Sequence, residues 1–272
     1  MALLHLDRDG HTFGWKFYPN GRMLIALLIA STIARLPLSM SDLSDTQREF
    51  KPIESISIGT QLYRHLRESI IRGEIAPGQA LSEAEISKRY AISRQPVREA
   101  FIKLSEERLV MIQPQRGTFV VKISMNDVLD ARFVREAIEV AVGVEATTSA
   151  SPLAIRELRS IIEQQRMLEH GHNDEFLALD EEFHRTIALS VGRAHAWRVV
   201  EGIKAQMDRI RYLSLDDATP LPIIIDQHQR IVDAIEAGDP TATAAAVRSH
   251  LREIMISLPK IAEKFPQYFQ SN

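Results

Sequence analysis

The chain has 272 residues, of which 45% are hydrophobic and 25% charged, an ordinary composition for a globular protein of one large or two modest domains. It contains no cysteine, which excludes disulfides and thiolate metal sites. The net charge of −3 is unevenly spread, because residues 55–123 hold 11 Lys and Arg against 7 Asp and Glu, whereas residues 124–272 hold 16 against 23. A basic module next to an acidic one indicates a polyanionic partner, although chance variation of surface charge explains so small an excess equally well.

Residues 1–54 are interpreted as an N-terminal extension that carries the apolar run MLIALLIASTIA at 23–34. The run follows basic residues, as in a secretory signal, but its twelve residues are too few to span a bilayer. We favour the alternative in which translation starts at Met40. The extension is then expected to be disordered or partly outside the native product.

The next segment predicts a winged helix-turn-helix. A helix is expected over 58–73, where apolar residues recur at helical spacing. A second helix begins at the Ser82 capping box, and a third runs from Ser93 to about Glu107. Two β-rich runs around a Pro/Gly turn, between 109 and 121, predict a hairpin. Three helices followed by a hairpin are typical of modules whose third helix enters the DNA major groove.

Candidate DNA-binding residues lie at the start of the third helix and at the hairpin tip. They are Ser93, Arg94, Gln95, Arg98, Arg116 and Gly117. Arginine suits guanine and glutamine suits adenine, whereas an arginine at a hairpin tip reaches a phosphate or the minor groove. Each arginine taken alone is more simply interpreted as part of a solvated helix face. The order of the elements favours DNA contact.

From Met125 onward the sequence predicts helices separated by short connections, over 126–149, 152–170, 174–192, 194–215, 222–237 and 241–263. Such a pattern is typical of an antiparallel bundle of six or seven helices. The predicted fold is therefore mainly α. It comprises a winged helix-turn-helix over 55–123, an all-α bundle over 124–264 and a C-terminal tail over 265–272.

One carboxylate and three imidazoles lie in apolar helix stripes of this bundle, at Asp180, His184, His228 and His250. Ionisable groups that face a core are costly unless they are paired or bound to a metal. Asp180 and His184 share a helix face, and His228 and His250 lie eleven residues before and after Asp239, at equal height on the last two helices. The four side chains therefore suit a divalent ion, zinc above nickel or manganese. The alternative is a set of buried, hydrogen-bonded polar side chains.

Arg135 and Glu139 form an i,i+4 pair on the first helix of the bundle. One interpretation is a simple ion pair within the helix. The other is an arginine aimed into the cavity to hold a carboxylate, for which its planar fork is suited. The residues themselves leave both interpretations open.

The segment from Leu62 to Leu104, with QPQRGTFVV after it, resembles the DNA-binding domain of the GntR superfamily of bacterial regulators. The resemblance is carried by IxxGxxxPGxxL from Ile70 to Leu81, by SRQPVREA at 93–100 and by the Arg116-Gly117 wing. It implies operator contacts from Arg94, Gln95, Arg98 and the Gly117 wing. Two positions depart from the pattern: Gln95 stands where a small residue is common, and Arg108 replaces the usual glycine, at little expected cost.

The bundle resembles the FCD effector domain of the FadR subfamily of these regulators. The matching segments are VREAIE at 134–139, DEEFH at 180–184, His228 in DQHQRIVDAIEAGD and His250 in VRSHL. In the metal-binding branch, an aspartate and three histidines hold an ion whose shell a small carboxylate completes. The resemblance therefore implies metal roles for Asp180, His184, His228 and His250 and an effector role for Arg135. We assign Glu139 to the effector site together with Arg135.

Together these features predict a ligand-responsive transcription regulator, expected to be a repressor, and not an enzyme. We expect a homodimer on a palindromic double-stranded DNA operator, a divalent metal ion, a small organic acid as effector, no membrane partner, and a cytoplasmic, nucleoid-associated location. One alternative is a metal-dependent hydrolase or lyase whose Asp/His site activates water, although it lacks an obvious general base and needs no DNA-binding module. Another alternative is a regulator that binds its ligand without metal.

Overall fold

The structure is a computed structural model that describes residues 56–168, 171–215 and 219–270. The apolar run at 23–34 and Met40 lie outside the described residues, so the expectations for the extension remain predictions. Within the described ranges, the helices lack the combination of length and apolar character that a bilayer span requires.

The first part of the described chain holds three helices: α1 (Ile58–Ile71), α2 (Glu83–Arg89) and α3 (Arg94–Glu106). Ser82 Oγ accepts the backbone N–H of Glu85, as the predicted capping box requires. Ser93 is the N-cap residue of α3, although its side chain makes no capping bond. The helices pack around a buried apolar core that includes Leu62 of α1 and Phe101 of α3.

A small antiparallel sheet completes this part. Its strands are β1 (Ala80–Leu81), β2 (Val110–Gln113) and β3 (Gly117–Val120), in the order β1-β3-β2. The pair β2–β3 is the predicted hairpin, with Gln113 opposite Gly117 at its closed end. Strand β1 is not predicted by the sequence, because two residues are too few to form an alternating pattern. The predicted winged helix-turn-helix is confirmed.

Arg108, which stands where the resembled pattern has a glycine, lies in the left-handed backbone region with φ of 56°. This conformation costs a residue that has a Cβ about 1–2 kcal/mol. The Arg108 carbonyl accepts a hydrogen bond from Gln206 Nε2 at 2.6 Å, which ties this turn to the helical bundle. The substitution therefore has a physical cost that its place in the sequence does not reveal.

Seven helices form the second part: α4 (Met125–Ser149), α5 (Pro152–Arg166), α6 (Asn173–Ser190), α7 (Ala194–Ile203), α8 (Ala205–Ser214), α9 (Leu221–Glu236) and α10 (Pro240–Lys264). The predicted helix over 194–215 is divided in two at Lys204. The two halves contribute to different cores: Trp197 of α7 belongs to the bundle core, whereas Ala205 of α8 packs against the core of the first part. The predicted all-α bundle is confirmed, with seven helices in the described chain.

The C-terminal segment packs against the connection between the two parts. After a short 3-10 helix at Pro266–Tyr268, Phe269 pairs with Ile123 in a parallel bridge. Ile123 N donates to Tyr268 O at 2.8 Å, and Gln270 N donates to Ile123 O at 3.0 Å. The segment predicted as a tail is therefore a packed element as far as residue 270.

Candidate metal centre and DNA-binding surface

Helices α6, α9 and α10 bring the four predicted metal ligands to one point in the bundle. Each of the four offers a ligand atom that lies within 4.8 Å of the other three. Asp180 and His228 are 1% and 0% exposed, and the other two histidines are also buried. The structure therefore brings together the four side chains that the sequence predicted to meet, including His228 and His250 of the helix hairpin.

Each of the three histidine rings is anchored through its Nδ1 atom. The contacts join His184 Nδ1 to Glu139 Oε2 at 2.7 Å, His228 Nδ1 to Gln165 Oε1 at 2.9 Å and His250 Nδ1 to Gln227 Oε1 at 3.0 Å. A carboxylate or amide oxygen only accepts, so each Nδ1 carries the proton that it donates. In a neutral ring with this proton on Nδ1, Nε2 carries a lone pair, which is the form of imidazole that ligates metals.

The Nε2 atoms face one another at the centre of the cluster. His184 Nε2 and His250 Nε2 are 3.0 Å apart, and if both rings are neutral with their protons on Nδ1, no hydrogen lies between them. His228 Nε2 lies 3.4 Å from Asp180 Oδ1 but makes no hydrogen bond within the described chain. Lone pairs that converge in a buried space repel unless a cation lies between them. The donor set therefore fits a divalent metal ion.

Protonation of His228 and His250 does not supply a positive charge at this point at neutral pH. Burial lowers the pKa of His228 to about 4, against the opposing effect of Asp180. Burial, together with the neighbouring His228 and His184, also lowers the pKa of His250 well below its usual value. Both rings are therefore neutral near pH 7.

Two ion pairs flank the histidines. Arg211 on α8 donates through both terminal nitrogens to Asp180, and its Nη1 lies 2.5 Å from Oδ2. Burial acts to raise the pKa of Asp180, but the Arg211 guanidinium outweighs it and holds that pKa well below the usual range. Likewise, burial acts to raise the pKa of Glu139, and Arg135 and His184 lower it to about 2. Both carboxylates are ionised.

The sequence reasoning missed Arg211, Gln165 and Gln227. A signal existed for Gln165, which continues the apolar stripe of α5 and is fully buried. Glu139 also makes a contact that the sequence did not predict, and its effector role stays a prediction. Its carboxylate accepts from Arg135 Nε at 2.6 Å and from the His184 ring, so it orients a candidate ligand.

A small cavity lies beside the cluster. Its volume is about 30 Å³, and its polar lining includes Arg135, Arg211, His250, Ser214, Thr219 and Ser257. Arg135 is 2% exposed, and only its Nε atom has a hydrogen-bond partner among the described residues. The predicted effector arginine therefore lines the same small space as His250, one of the candidate metal ligands.

The predicted DNA-binding residues all lie at the surface. Ser93, Arg94, Gln95, Arg98, Arg116 and Gly117 are exposed, four at the start of α3 and two at the tip of the β2–β3 hairpin. Arg98 donates to Glu83 of α2 through Nε at 3.1 Å and Nη2 at 2.9 Å. The surface thus presents the start of α3 and the hairpin tip, as groove and phosphate contact requires.

A polar network joins this first part to the bundle. Arg67 of α1 contacts Glu107 Oε2 at 2.7 Å and Asp208 of α8 at 3.1 Å. Lys204 contacts the same Asp208 at 2.7 Å and Glu181 of α6 at 2.9 Å. Glu181 follows Asp180 directly in the chain. The helices that carry the candidate metal site therefore also carry contacts to the DNA-binding part.

Comparisons with known proteins agree with this architecture. Residues 58–120 match the model for bacterial regulatory proteins of the gntR family, and residues 130–253 match the FCD domain. The chain is 40% identical over 213 residues to the HTH-type transcriptional repressor RspR of Escherichia coli K12, covering 78% of this chain and 93% of that relative.

Solved structures give the same result. A putative transcriptional regulator GntR from Rhodococcus sp. RHA1 is 26% identical, with a TM-score of 0.60 over 74% of this chain and 98% of that one. Escherichia coli McbR/YncC, at 17% identity, shares the fold with a TM-score of 0.65 over 77% of this chain and 99% of that one. The chain belongs to the GntR family of bacterial transcription regulators and carries an FCD domain; it is a DNA-binding regulator and not an enzyme.

Proposed function

We propose that this regulator senses a small organic acid through a divalent metal ion held in its FCD domain. The observation that carries the proposal is the convergence of three imidazole rings and the Asp180 carboxylate on one buried point. Neutral imidazoles and a carboxylate form a ligand set that zinc favours, and nickel or manganese accept it as well. Zinc is our first choice among these ions.

The chain's own residues would hold the ion and orient its ligands. His184, His228, His250 and Asp180 would bind it, while Glu139, Gln165 and Gln227 fix the rings from behind through their Nδ1 atoms. A bound ion supplies Lewis acidity and open coordination positions for an anionic oxygen. Arg135, buried beside His250 in the same cavity, would hold the effector's carboxylate through its free terminal nitrogens.

The regulator is proposed to read DNA through α3 and the hairpin. Arg94, Gln95 and Arg98 would contact base edges, Ser93 would contact the backbone, and Arg116 with Gly117 would lie along the adjacent phosphates or minor groove. Repression is the expected sign of control, since RspR is a named repressor. The protein would act in the cytoplasm, at the nucleoid.

A homodimer on a palindromic operator is supported by an exposed apolar face on α4 and α10. Phe133 and Ile256 are 69% and 65% exposed, and Leu129 lies one turn before Phe133. The Arg252–Glu136 ion pair, with Nη2 2.8 Å from Oε1, joins the two helices beside them. Such a face suits self-complementary pairing about a two-fold axis. Two recognition helices would then read two half-sites.

Communication between the sites is proposed to run through α8. This helix carries Arg211, which holds Asp180, and Asp208, which holds Arg67 of the DNA-binding part. An effector that changes the Arg211–Asp180 contact would therefore act on α8 and change the Asp208–Arg67 ion pair between α8 and α1. The competing hypothesis, a regulator that binds its ligand without metal, predicts no dependence of ligand binding on a divalent ion.

The experiment that tests the metal site is a zinc titration of Glu139→Gln in competition with a chelating dye. Because Glu139 orients the His184 ring, the variant is expected to bind zinc about 10- to 100-fold more weakly. Glu157→Gln, an exposed change on α5, is the matched control and should leave the affinity unchanged. Equal zinc affinity in both variants and in the wild type would contradict the proposed site.

Selection from a random duplex library tests the DNA part. The zinc-loaded chain is expected to enrich an inverted repeat, because two symmetry-related recognition helices read opposite strands. A single unrepeated site would contradict the dimeric arrangement.

A further inference from the structure

The linker that joins the two parts of the chain, residues 121–124, is held by the C-terminal segment. Ile123 N donates to Tyr268 O at 2.8 Å, and Ile123 O accepts from Gln270 N at 3.0 Å. The side chain of Gln270 adds a third bond, from Nε2 to Lys122 O at 3.3 Å. A linker whose backbone groups are bonded in this way has little freedom to bend, because bending would leave those groups unpaired.

Residues 265–270, which we call the strap, also contact both parts of the chain through side chains. Phe269 is 6% exposed and packs with Ile123 in an apolar cluster to which α4, α8 and α10 contribute. Tyr268 reaches the DNA-binding part, since its hydroxyl oxygen lies 2.6 Å from the position that a Cβ would take at Gly73, two residues after the end of α1. The strap therefore connects the bundle, the linker and the DNA-binding part.

Arg209 of α8 holds the same linker and is itself poorly satisfied. It is 1% exposed, and its Nη1 donates to Val121 O at 2.9 Å and to Gln206 Oε1 at 3.1 Å. Its Nε and Nη2 are buried and have no hydrogen-bond partner among the described residues. Burial lowers the pKa of Arg209 to about 10, and the nearby Tyr268 of the strap acts in the opposite direction. A guanidinium with two unpaired nitrogens gains hydration when the segment beside it lifts, so Arg209 opposes closure of the strap.

We infer that the strap and Arg209 position the DNA-binding part by switching the linker between a fixed and a free state. With the strap closed, the DNA-binding part keeps one orientation on the bundle. With the strap lifted, the linker is hydrated and the DNA-binding part turns freely. A fixed orientation sets the distance between the two recognition helices of a dimer, so closure selects operators with one half-site spacing. The spacing rests on the proposed homodimer, whereas the opposition between strap and Arg209 does not.

Hydrogen exchange of the full chain, read by mass spectrometry on the peptide that contains Ile123, measures the strap directly. Phe269→Ala removes the buried anchor and should speed exchange about 10-fold or more, because the closed state loses an aromatic side chain from its core. Gln267→Ala, an exposed change in the same segment, is the matched control and should leave exchange unchanged. Phe269→Leu should restore slow exchange, since it keeps most of the apolar volume.

Arg209→Met should have the opposite effect and slow exchange. The variant loses the bond to Val121 O, but it also removes a buried charge with two unpaired nitrogens, which is the larger effect. A strap that is only a well-packed chain end predicts faster exchange in both Phe269→Ala and Arg209→Met. That result would overturn the inference, as would unchanged exchange in Phe269→Ala.

Selection from a random duplex library connects the strap to DNA reading. The wild type should enrich inverted repeats with one spacing, whereas Phe269→Ala should enrich the same half-sites at several spacings, because its recognition helix is unchanged. Phe269→Leu should return the preference to one spacing. A single spacing in Phe269→Ala would overturn the positioning role of the strap. An unrepeated site in the wild type would instead contradict the proposed homodimer and leave the exchange result standing.

Discussion

Replacing His228 and Gln165 together by apolar residues is expected to stabilise the metal-free protein while abolishing metal binding. The two fully buried side chains share one hydrogen bond, from His228 Nδ1 to Gln165 Oε1 at 2.9 Å. His228 Nε2 and Gln165 Nε2 are both buried and have no partner within the described residues. Without a cation, this site therefore leaves buried polar atoms without hydrogen-bond partners.

The magnitude follows from these contacts. Each buried unpaired polar atom costs about 1–3 kcal/mol, and a satisfied hydrogen bond contributes about 1 kcal/mol. The double variant Gln165→Met/His228→Leu removes two unpaired atoms and one bond, so a net gain of about 2 kcal/mol is expected after imperfect packing is allowed for. In a described chain of this size, that gain raises the melting temperature by about 4–8 °C.

Thermal unfolding followed by circular dichroism, with chelator or with excess zinc, measures the effect. Zinc at about 1,000 times its dissociation constant adds about 4 kcal/mol to the wild type and nothing to the double variant. The expected order of melting temperatures is zinc-loaded wild type, then double variant, then metal-free wild type. The single variant His228→Leu should fall below the double variant, because it leaves the Gln165 amide wholly unpaired. A double variant that melts below the metal-free wild type would refute the reasoning and indicate a satisfied hydrogen-bonded core.

Three further predictions concern the DNA contact, the backbone and pH. Arg94→Ala should weaken operator binding about 10- to 100-fold in an anisotropy titration at fixed salt, whereas Arg156→Ala on the bundle surface should not; equal affinities would remove α3 as the recognition helix. Arg108→Gly should stabilise the chain by about 0.5–1 kcal/mol in urea unfolding, because a backbone φ of 56° suits glycine. The Arg108–Asp127 ion pair that is lost lies at the surface and contributes little. A less stable variant would contradict this prediction. The metal-free chain should lose stability as pH falls from 6.5 to 4, because His228 is protonated near pH 6.5 in the unfolded chain and only near pH 4 in the folded chain. The double variant Gln165→Met/His228→Leu should lose less stability over this pH range. An equal dependence of unfolding free energy on pH in both proteins would exclude His228 as the cause.

The helix spacing in the sequence was sufficient to predict which side chains meet at the candidate metal site. His228 and His250 lie eleven residues before and after Asp239, so two antiparallel helices joined at this turn place them at the same height. The winged module was predictable for a similar reason, since its capping residues and turn are local signals.

The sequence did not predict the contacts that depend on how helices pack. The ion pair between Arg211 and Asp180 requires α8 to lie beside α6. The apolar periodicity of the two helices does not indicate that they are neighbours. The division of the predicted helix at Lys204 has the same origin, because apolar residues continue through the break while the core to which they contribute changes. The contact of Glu139 with the His184 ring was not predicted either, because it depends on how α4 packs against α6; the effector role of Glu139 stays a prediction.

The central claim is that the buried quartet holds a divalent ion. Its most direct test is elemental analysis of the chain purified without a metal-affinity tag, alongside His228→Ala. The account predicts about one divalent ion per wild-type chain and its loss in the variant, since His228 supplies one of the four protein ligands. A wild type that carries no metal and takes up none on titration would contradict the account.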